Sequence, residues 1–343
     1  MLSAGVAAAL GAALLFGAGT PLAKLLLGSV GPWMLAGLFY LGSGLGLTLY
    51  RIATRAAPVQ LARGEAVWLA GATLSGGVVG PLLLMAGLSG MPASGASLLL
   101  NAEGVFAAVL AWVAFRENFD RRIALGMGLI AAGALVLSWP ETVSFAGLWP
   151  ALAILGACLA WGVDNNLTRK VALNDATWIA SVKGLVAGSV NLALALVVGD
   201  QLPGGVTVAV AMAVGFLAYG VSLALFVVGL RHLGAARTGA YFSVAPFVGA
   251  ALALLGGEPV TWRLLAAAGL MGVGVWLHLT EKHAHAHVHE AMAHDHAHEH
   301  DEHHQHDHTD GQLRAGKHAH PHRHEPLRHA HSHYPDAHHR HLH

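Results

Sequence analysis

The feature that most constrains this chain is a series of ten apolar stretches, each about as long as a membrane-crossing helix. A hydrocarbon layer about 30 Å thick needs roughly 20 mostly apolar residues in one helix. Only 11% of the residues are charged, against about 25% in soluble domains. The sequence therefore predicts an all-α membrane protein and excludes an ordinary soluble enzyme. The ten predicted spans are residues 3–24, 31–50, 66–88, 94–115, 122–139, 148–168, 176–198, 206–229, 236–256 and 261–280.

Charge and histidine divide the chain near Glu281. Residues 1–280 hold 22 charged residues, whereas residues 281–343 hold 16 charged residues and 23 of the 25 histidines. We interpret the first part as a membrane domain and the second as a low-complexity polar tail, which we expect to be disordered. The single cysteine, Cys158, permits neither an internal disulfide nor a Cys-based zinc site. No basic stripe with stacking aromatic residues is present, so nucleic acid is not an expected partner.

The basic residues of the membrane domain favour one side of the bilayer. Ten spans place both termini on the same side, and alternating loops leave Lys24 and Arg263 on the other side. By the positive-inside rule, the side with ten basic residues is cytoplasmic. We therefore predict a multi-pass protein of the cell inner (cytoplasmic) membrane with cytoplasmic amino and carboxyl termini. The ten residues are Arg51, Arg55, Arg63, Arg116, Arg121, Arg122, Arg169, Lys170, Arg231 and Arg237.

The membrane domain also repeats itself. Residues 10–24 align with residues 155–169 at a constant offset of 145, and matches near the end of each copy keep an offset of 141. Each copy holds five spans. Because five is odd, the second copy crosses the membrane in the opposite sense, which predicts two inverted five-helix repeats at residues 1–140 and 148–280, followed by the tail at 281–343. Inverted repeats of this kind build alternating-access transporters.

One run of residues at the fourth span of each half carries a family resemblance. The two runs are LLLNAEGVFAAVLAWVAFRE at residues 98–117 and SVAPFVGAALALLGGEP at residues 243–259, each followed by a glycine-rich helix. These runs resemble the EamA domains of the drug/metabolite transporter superfamily. The resemblance covers residues 1–280 and implies a ten-helix secondary transporter with a central cavity, but no substrate. The family pattern has a proline in this helix; the second half has Pro246, whereas the first half has Gly104.

Polar residues inside the apolar spans are the candidate pathway residues. A carboxylate in the membrane is costly, so Glu103 must face the bundle interior, a partner or water. It is a candidate for proton coupling or for a hydrogen-bonded packing role. Lys183 either extends to the headgroups, pairs with Glu103 or binds an anion. Asp164, Asn165 and Asn166 offer oxygen ligands for a cation and hydrogen bonds for a zwitterion, or they end the sixth helix in the membrane interface.

Two tyrosines and two prolines complete the pathway candidates. Tyr219 and Tyr241 line a pore or bond to a neighbouring helix. Pro21 and Pro246 each remove a backbone hydrogen bond, and the kinks they predict would expose backbone groups to a substrate. No nucleophile–base pair, phosphate-binding loop or paired acids suited to hydrolysis occur, so we do not predict an enzyme. The expected partners are the lipid bilayer and a small-molecule or metal-ion substrate, with a homodimer left open.

Histidines recur at alternate positions through the tail. Imidazole is the commonest ligand for transition metals, and interspersed Asp and Glu residues add carboxylates. We therefore predict that the tail binds Zn, Ni, Co or Cu as divalent ions, and that the protein requires no cofactor. The candidate ligands are His283, His285, His287, His289, His294, His296, His298, His300, His303, His304, His306 and His308.

The sequence leaves three functions open. The first is a secondary active exporter whose cytosolic tail delivers metal to the pore or reports metal status to it. The second is an exporter of amino acids or small metabolites with a tail that only buffers metal. The third is a metal-sensing or storage membrane protein that transports nothing. A tail that gains charge near pH 6 and binds anionic lipid is a further interpretation of the same histidines.

Overall fold

The computed structural model describes residues 4–59, 61, 63–115, 121–139, 145–168, 170–171, 174–279, 284–289, 293–298, 318–323 and 327–332. The chain forms two units, one ending at Glu281 and the other beginning at Lys282. The α-helices of the first unit are α1 (Ala4–Leu26), α2 (Pro32–Ala53), α3 (Arg63–Ala72), α4 (Gly80–Ser89), α5 (Ala93–Leu99), α6 (Ala102–Phe115), α7 (Arg121–Ser138), α8 (Phe145–Thr168), α9 (Ala176–Val197), α10 (Gly205–Gly215), α11 (Ser222–Phe242), α12 (Ala245–Leu255) and α13 (Trp262–Leu279).

Two π-helical segments continue the helices around them. They are π1 (Thr73–Val79), which joins α3 to α4, and π2 (Phe216–Val221), which joins α10 to α11. Six helical runs in the described residues are long and apolar enough to cross a membrane: α1, α2, α3 to α4, α8, α9, and α10 to the first part of α11. The other four predicted spans correspond to α5 with α6, α7, the end of α11 with α12, and α13.

Helix α11 contains a reversal of the chain. The rings of Phe226 and Phe242 lie 4.9 Å apart, although a straight helix between these positions would separate them by about 24 Å. A Cβ atom on Gly229 would lie 2.9 Å from the Thr238 side chain. The chain therefore turns back between Gly229 and Thr238. The eighth and ninth predicted spans meet there, so the helices account for the ten crossings predicted from the sequence.

Contacts between distant loops define two ends of the bundle. At one end, here called the Lys24 end, Lys24 Nζ donates to the carbonyl oxygen of Leu88 at 2.7 Å, and Glu258 contacts the start of α5. At the other, the Arg51 end, Arg51 forms an ion pair with Asp175 at 3.0 Å. Among the described connections, the contacts at these two ends involve loops that antiparallel crossings place at the same end.

Small residues let the helices approach closely. Helices α2 and α9 belong to different halves of the chain and pack along their length. A Cβ atom on Gly184 of α9 would lie 2.6 Å from the Cα atom of Gly44 in α2. In lipid, hydrophobicity does not drive helices together, so this close van der Waals packing stabilises the pair. Among the described residues, the buried core consists mainly of Ala and Leu side chains.

The described residues of the tail unit form four short strands. Strand β1 (Ala284–His289) pairs antiparallel with β4 (Leu327–Ser332), and β2 (Ala293–His298) pairs antiparallel with β3 (His318–Arg323). The His-X-His alternation has a period of two residues, which matches the period of a β-strand. The disorder expected from composition stays a prediction. The predicted metal ligands that lie outside the described residues are His283, His300, His303, His304, His306 and His308.

Candidate transport site

The π1 segment exposes backbone carbonyl groups to three other helices. In a π-helix each backbone N–H bonds to the carbonyl group five residues earlier instead of four, and such segments often mark a functional site. The carbonyl oxygen of Gly76 accepts hydrogen bonds from Tyr40 Oη at 2.7 Å and from Trp161 Nε1 at 2.9 Å. The carbonyl oxygen of Gly77 accepts one from Asn191 Nδ2 at 2.9 Å. Side chains of α2, α8 and α9 thus satisfy carbonyl groups of the irregular turn.

An ion pair lies directly beside this turn. Lys183 Nζ lies 2.5 and 2.6 Å from the two carboxylate oxygens of Asp164, and Thr168 Oγ1 donates to the same carboxylate at 2.8 Å. The Asp164 carboxylate fills the space that a Cβ atom on Gly76 would need. Only 10% of the Asp164 side chain and 16% of the Lys183 side chain are exposed. Both charges are therefore buried and balance each other.

In this structure the ammonium group of Lys183 bonds to Asp164 and not to Glu103. Helices α8 and α9 both pack against π1, so the ion pair forms beside this turn. A buried ammonium group would lose water without compensation unless a carboxylate replaced it. Asp164 also does not end its helix in the interface, since it is 7% exposed and lies within α8.

Glu103 forms the second polar contact of the site. Asn165 Nδ2 donates to Glu103 Oε1 at 2.9 Å. Asn165 follows the buried residues Cys158 and Trp161 by seven and four positions, so it lies on the buried face of α8, yet its side chain is exposed. Asn165 is thus an exposed polar residue on an otherwise buried face of its helix. In the described part of the chain, Glu103 has this amide donor but no ion-pair partner.

Aromatic rings from both halves pack against one another in the bundle. The ring of Tyr219, in π2, lies 5.4 Å from Tyr40, 5.8 Å from Phe39 and 5.9 Å from Phe16. The structure thus brings together two pairs of residues: Glu103 with Asn165, and Tyr219 with Tyr40, which the sequence did not single out.

The other predicted pathway residues lie elsewhere or have different roles. Asn166 Nδ2 donates to the carbonyl oxygen of Gly162 within α8 at 2.8 Å and to that of Ala107 in α6 at 3.3 Å, so it joins these two helices. Tyr241 is half-buried near the end of α11. Pro21 lies inside α1, whereas Pro246 stands in the first turn of α12. Pro246 therefore begins a helix and does not kink the middle of one, because a first-turn residue has no intrahelical N–H bond to lose.

Sequence reasoning missed the two irregular points that recur in both halves. Segment π1 starts at Thr73 and segment π2 at Phe216. The fourth span breaks after Leu99 in the first half and after Phe242 in the second, which is the same separation along the chain as that between Thr73 and Phe216. Hydropathy carries no signal for a wider helical turn. The available signal was the pair Gly76 and Gly77, whose second member recurs as Gly220 at this separation.

The described side chains give no metal centre. No group of three or more His, Cys, Asp or Glu side chains within the described residues is placed to hold a metal ion. The arrangement offers a buried, charge-balanced ion pair and, on the same helix, an exposed amide that donates to the carboxylate of Glu103. Such groups suit reversible binding of a proton or a polar solute.

Three comparisons place the chain among known proteins. The model of the EamA-like transporter family matches residues 3–139 and 148–280, which gives two copies. A protein of Methanothermobacter thermautotrophicus described as an uncharacterized transporter is 27% identical over 268 residues, covering 71% of this chain and 76% of the relative. A solved crystal structure covers 82% of this chain and 99% of its own, with a TM-score of 0.62 and 17% identity, which supports the fold alone. This chain is a multi-pass membrane protein and belongs to the EamA-like transporter family.

Proposed function

We propose that this protein is a secondary active exporter of the drug/metabolite transporter type, located in the inner membrane with both termini in the cytoplasm. The observation that carries the proposal is the contact between Glu103 and the exposed Asn165 within an apolar bundle. A membrane carboxylate costs about 2.5–3.5 kcal/mol, so its place beside an exposed amide indicates a role in moving charge or solute.

The paired irregularities support alternating access. Breaks in the fourth span and π-helical turns in the third occur at matching positions of the two halves. A locally widened or broken helix bends more easily than a regular one. Two inverted halves that bend at matching points can expose a shared central site to each side in turn. With the Arg51 end in the cytoplasm, the solute would enter from that end and leave at the Lys24 end.

Glu103 is the coupling group in this proposal. As a carboxylate, it accepts the hydrogen bond of Asn165 and attracts a proton or the cationic group of a solute. A proton taken up at Glu103 from the outer side neutralises the side chain, and its loss to the cytoplasm restores the charge. The Asp164–Lys183 pair stays balanced through the cycle and keeps Asn165 in position on α8.

Reconstituted vesicles test the proposal. A proton-sensitive dye inside the vesicles reports proton movement when single amino acids, small metabolites, or Zn²⁺, Ni²⁺ or Co²⁺ salts are added. We expect at least one solute to drive proton flux in the wild type and Glu103→Gln to lose it. Glu65→Gln is the matched control, because Glu65 lies at the Arg51 end and accepts a hydrogen bond from Asn174. Flux that survives Glu103→Gln would contradict the coupling role.

The histidines of the tail support a second activity, the binding of transition metals. In the strand register, His285 is opposite His331 and His287 is opposite His329. Directly opposite residues of antiparallel strands lie on the same face. We propose that these histidines bind a divalent transition metal, and that the tail delivers the metal to the pore or reports metal status to it. Coordination would in turn stabilise ladders that are marginal alone.

Deletion of residues 281–343 separates the alternatives. Under the proposal, cells with the truncated protein change their tolerance to Zn²⁺ or Ni²⁺ and their metal content. Unchanged metal handling with intact metabolite efflux would leave the tail as a buffer only. A full-length protein that binds metal and moves no solute in vesicles would favour a sensing or storage protein.

A further inference from the structure

Two side chains from different halves hold the turn at residues 90–92, which joins α4 to α5. The first is Lys24 of α1, whose Nζ atom donates to the carbonyl oxygens of Leu88 at 2.7 Å and Ser89 at 3.2 Å. These carbonyl groups belong to the last turn of α4, where a helix has no internal donors left for them. The ammonium group therefore binds the end of α4 by replacing the missing donors.

The second side chain is Glu258, which follows α12 in the second half. Its Oε1 accepts the backbone N–H of Ala93 at 2.7 Å, and its Oε2 accepts that of Ser94 at 2.9 Å. Burial raises the pKa of Glu258, but the hydrogen bonds from Ser94 and Ala93 and the charge of Lys24 outweigh it, so the pKa falls below its usual range. The side chain is thus ionised at neutral pH and binds the start of α5 through both oxygens.

The held turn is connected directly to the candidate transport site. Helix α5 runs from Ala93 to the break after Leu99, and Glu103 lies in the first turn of the next helix, α6. Fixing the start of α5 therefore restrains the segment that leads to Glu103. The contacts also bridge the repeats, because Lys24 belongs to the first half and Glu258 to the second.

We propose that Lys24 and Glu258 form a clamp that keeps the Lys24 end of the transporter closed, and that both must release the 90–92 turn before solute can pass. This inference builds on the proposed function. Hydrogen bonds from charged groups near the surface are strong enough to hold a closed state and weak enough to break in each cycle. Lys24 and Glu258 are positioning residues and do not contact the solute.

The opposite end has its own contact between helices of the two halves. Arg51 of α2 pairs with Asp175 at 3.0 Å and donates to Thr177 Oγ1 at 2.8 Å. Alternating access requires that one end stays closed while the other opens. Release of the clamp at the Lys24 end should therefore favour closure at the Arg51 end, and the two ends can be observed separately.

Cysteine labelling in lipid nanodiscs tests the clamp. The background is the full chain with Cys158→Ser, and each reporter is a single Ser→Cys change at a buried serine. Ser97 lies one turn deeper than Ser94 in α5, and Ser181 lies one turn deeper than Thr177 in α9. The rate of labelling by a polar maleimide measures how accessible each reporter cysteine is. With Lys24→Met or Glu258→Gln, we expect labelling at position 97 to rise about tenfold and labelling at position 181 to fall.

Three controls make the result interpretable. Glu65→Gln removes a carboxylate at the Arg51 end and should leave position 97 unchanged. Glu258→Asp keeps the charge and should restore part of the protection that Glu258→Gln loses. A second set of clamp variants keeps Cys158 and carries no other cysteine. Because Cys158 is fully buried, labelling of Cys158 in this set reports unfolding.

The outcomes separate the clamp from the transport mechanism. Unchanged labelling at position 97 in both clamp variants, with Cys158 still protected, would overturn the clamp. A rise at position 97 with no change at position 181 would support the clamp and contradict alternating access, and hence the proposed function. If Lys24→Met and Glu258→Gln both expose Cys158, the contacts stabilise the fold instead, which also overturns the clamp.

Discussion

Gly76 in π1 and Tyr219 in π2 occupy the same position in the two halves, because each is the fourth residue of its π-helical segment, and they differ in every other respect. Gly76 presents its carbonyl oxygen to Tyr40 and Trp161, and its missing side chain leaves space for the Asp164 carboxylate. Tyr219 presents a ring to other rings. Tyr40 touches both, because its hydroxyl bonds to Gly76 while its ring lies 5.4 Å from Tyr219.

The difference shows which properties the two copies share. Both copies have the widened turn in the third span and the break in the fourth. The first-half turn is surrounded by an ion pair and hydrogen-bond donors, and the second-half turn by aromatic rings. We infer that the shared backbone provides bending points, whereas the chemistry that recognises a solute comes from side chains present in one copy only. The predictions below change one side of this comparison at a time.

The largest effect is expected from Asp164→Leu. The substitution leaves the Lys183 ammonium group buried without a partner, which costs about 3–5 kcal/mol of unfolding free energy. The double variant Asp164→Leu with Lys183→Leu removes both charges and should recover most of that stability while transport stays lost. Thermal unfolding in detergent measures both. A single variant as stable as the wild type would show that the pair is not buried in the working protein.

Gly76→Ala should have the next largest effect. A Cβ atom at this position would overlap the Asp164 carboxylate, so the ion pair or the π-helical turn must shift. Overpacking of this kind costs about 1–3 kcal/mol. Gly104→Ala is the matched control, because a Cβ atom there meets nothing within 4 Å. Equal melting temperatures for the two variants would contradict close packing of Asp164 against π1.

The sequence was sufficient for the architecture of the bundle. Ten spans, the alternation of loops between two ends and the family resemblance all follow from the length of apolar runs and from short repeated motifs. Arg51 and Asp175, for example, fall in loops predicted on the same side, and they form an ion pair. Span length and loop parity depend on local composition, which a single sequence contains in full.

The partners of individual side chains were not predictable in the same way. Lys183 was open to three partners, and only the packing of α8 and α9 against π1 brings it to Asp164. Tyr40 and Trp161 were not singled out, because their acceptor is a backbone carbonyl freed by an irregular turn. Hydropathy records neither helix rotation nor a change of helical hydrogen bonding, so these contacts require the structure.

Tyr40→Phe should have a smaller effect than either change above. It removes one hydrogen bond to the Gly76 carbonyl oxygen, which Trp161 still satisfies, and it keeps the ring beside Tyr219. A net hydrogen bond contributes about 1 kcal/mol. Tyr219→Phe keeps all ring contacts and should cost less than about 0.5 kcal/mol. Chemical denaturation of the purified variants ranks the two, and the reverse order would contradict the polar–aromatic division between the halves.

The smallest effect concerns the start of the second helix in each half, where α2 follows Gly31 and α9 follows Asp175. Gly31 offers no side-chain cap, whereas Asp175 accepts hydrogen bonds from the backbone N–H groups of Thr177 and Trp178. Burial alone raises the pKa of Asp175, but bonds from the Thr177 and Arg51 side chains and these N–H groups lower it to about 2. Asp175→Ala should cost about 0.5–1 kcal/mol after allowance for solvent screening.

Because the folded-state pKa of Asp175 lies below the unfolded value, its contribution is complete above the unfolded pKa of 3.8 and disappears as the pH falls through about 2. The stability difference between wild type and Asp175→Ala should therefore be constant from about pH 5 to pH 8 and shrink below about pH 4. Asp175→Asn keeps an acceptor without charge and should show no such decline relative to Asp175→Ala. A difference that grows on acidification would mean that the carboxylate is not the capping group, and that α9 begins as α2 does, without a side-chain cap.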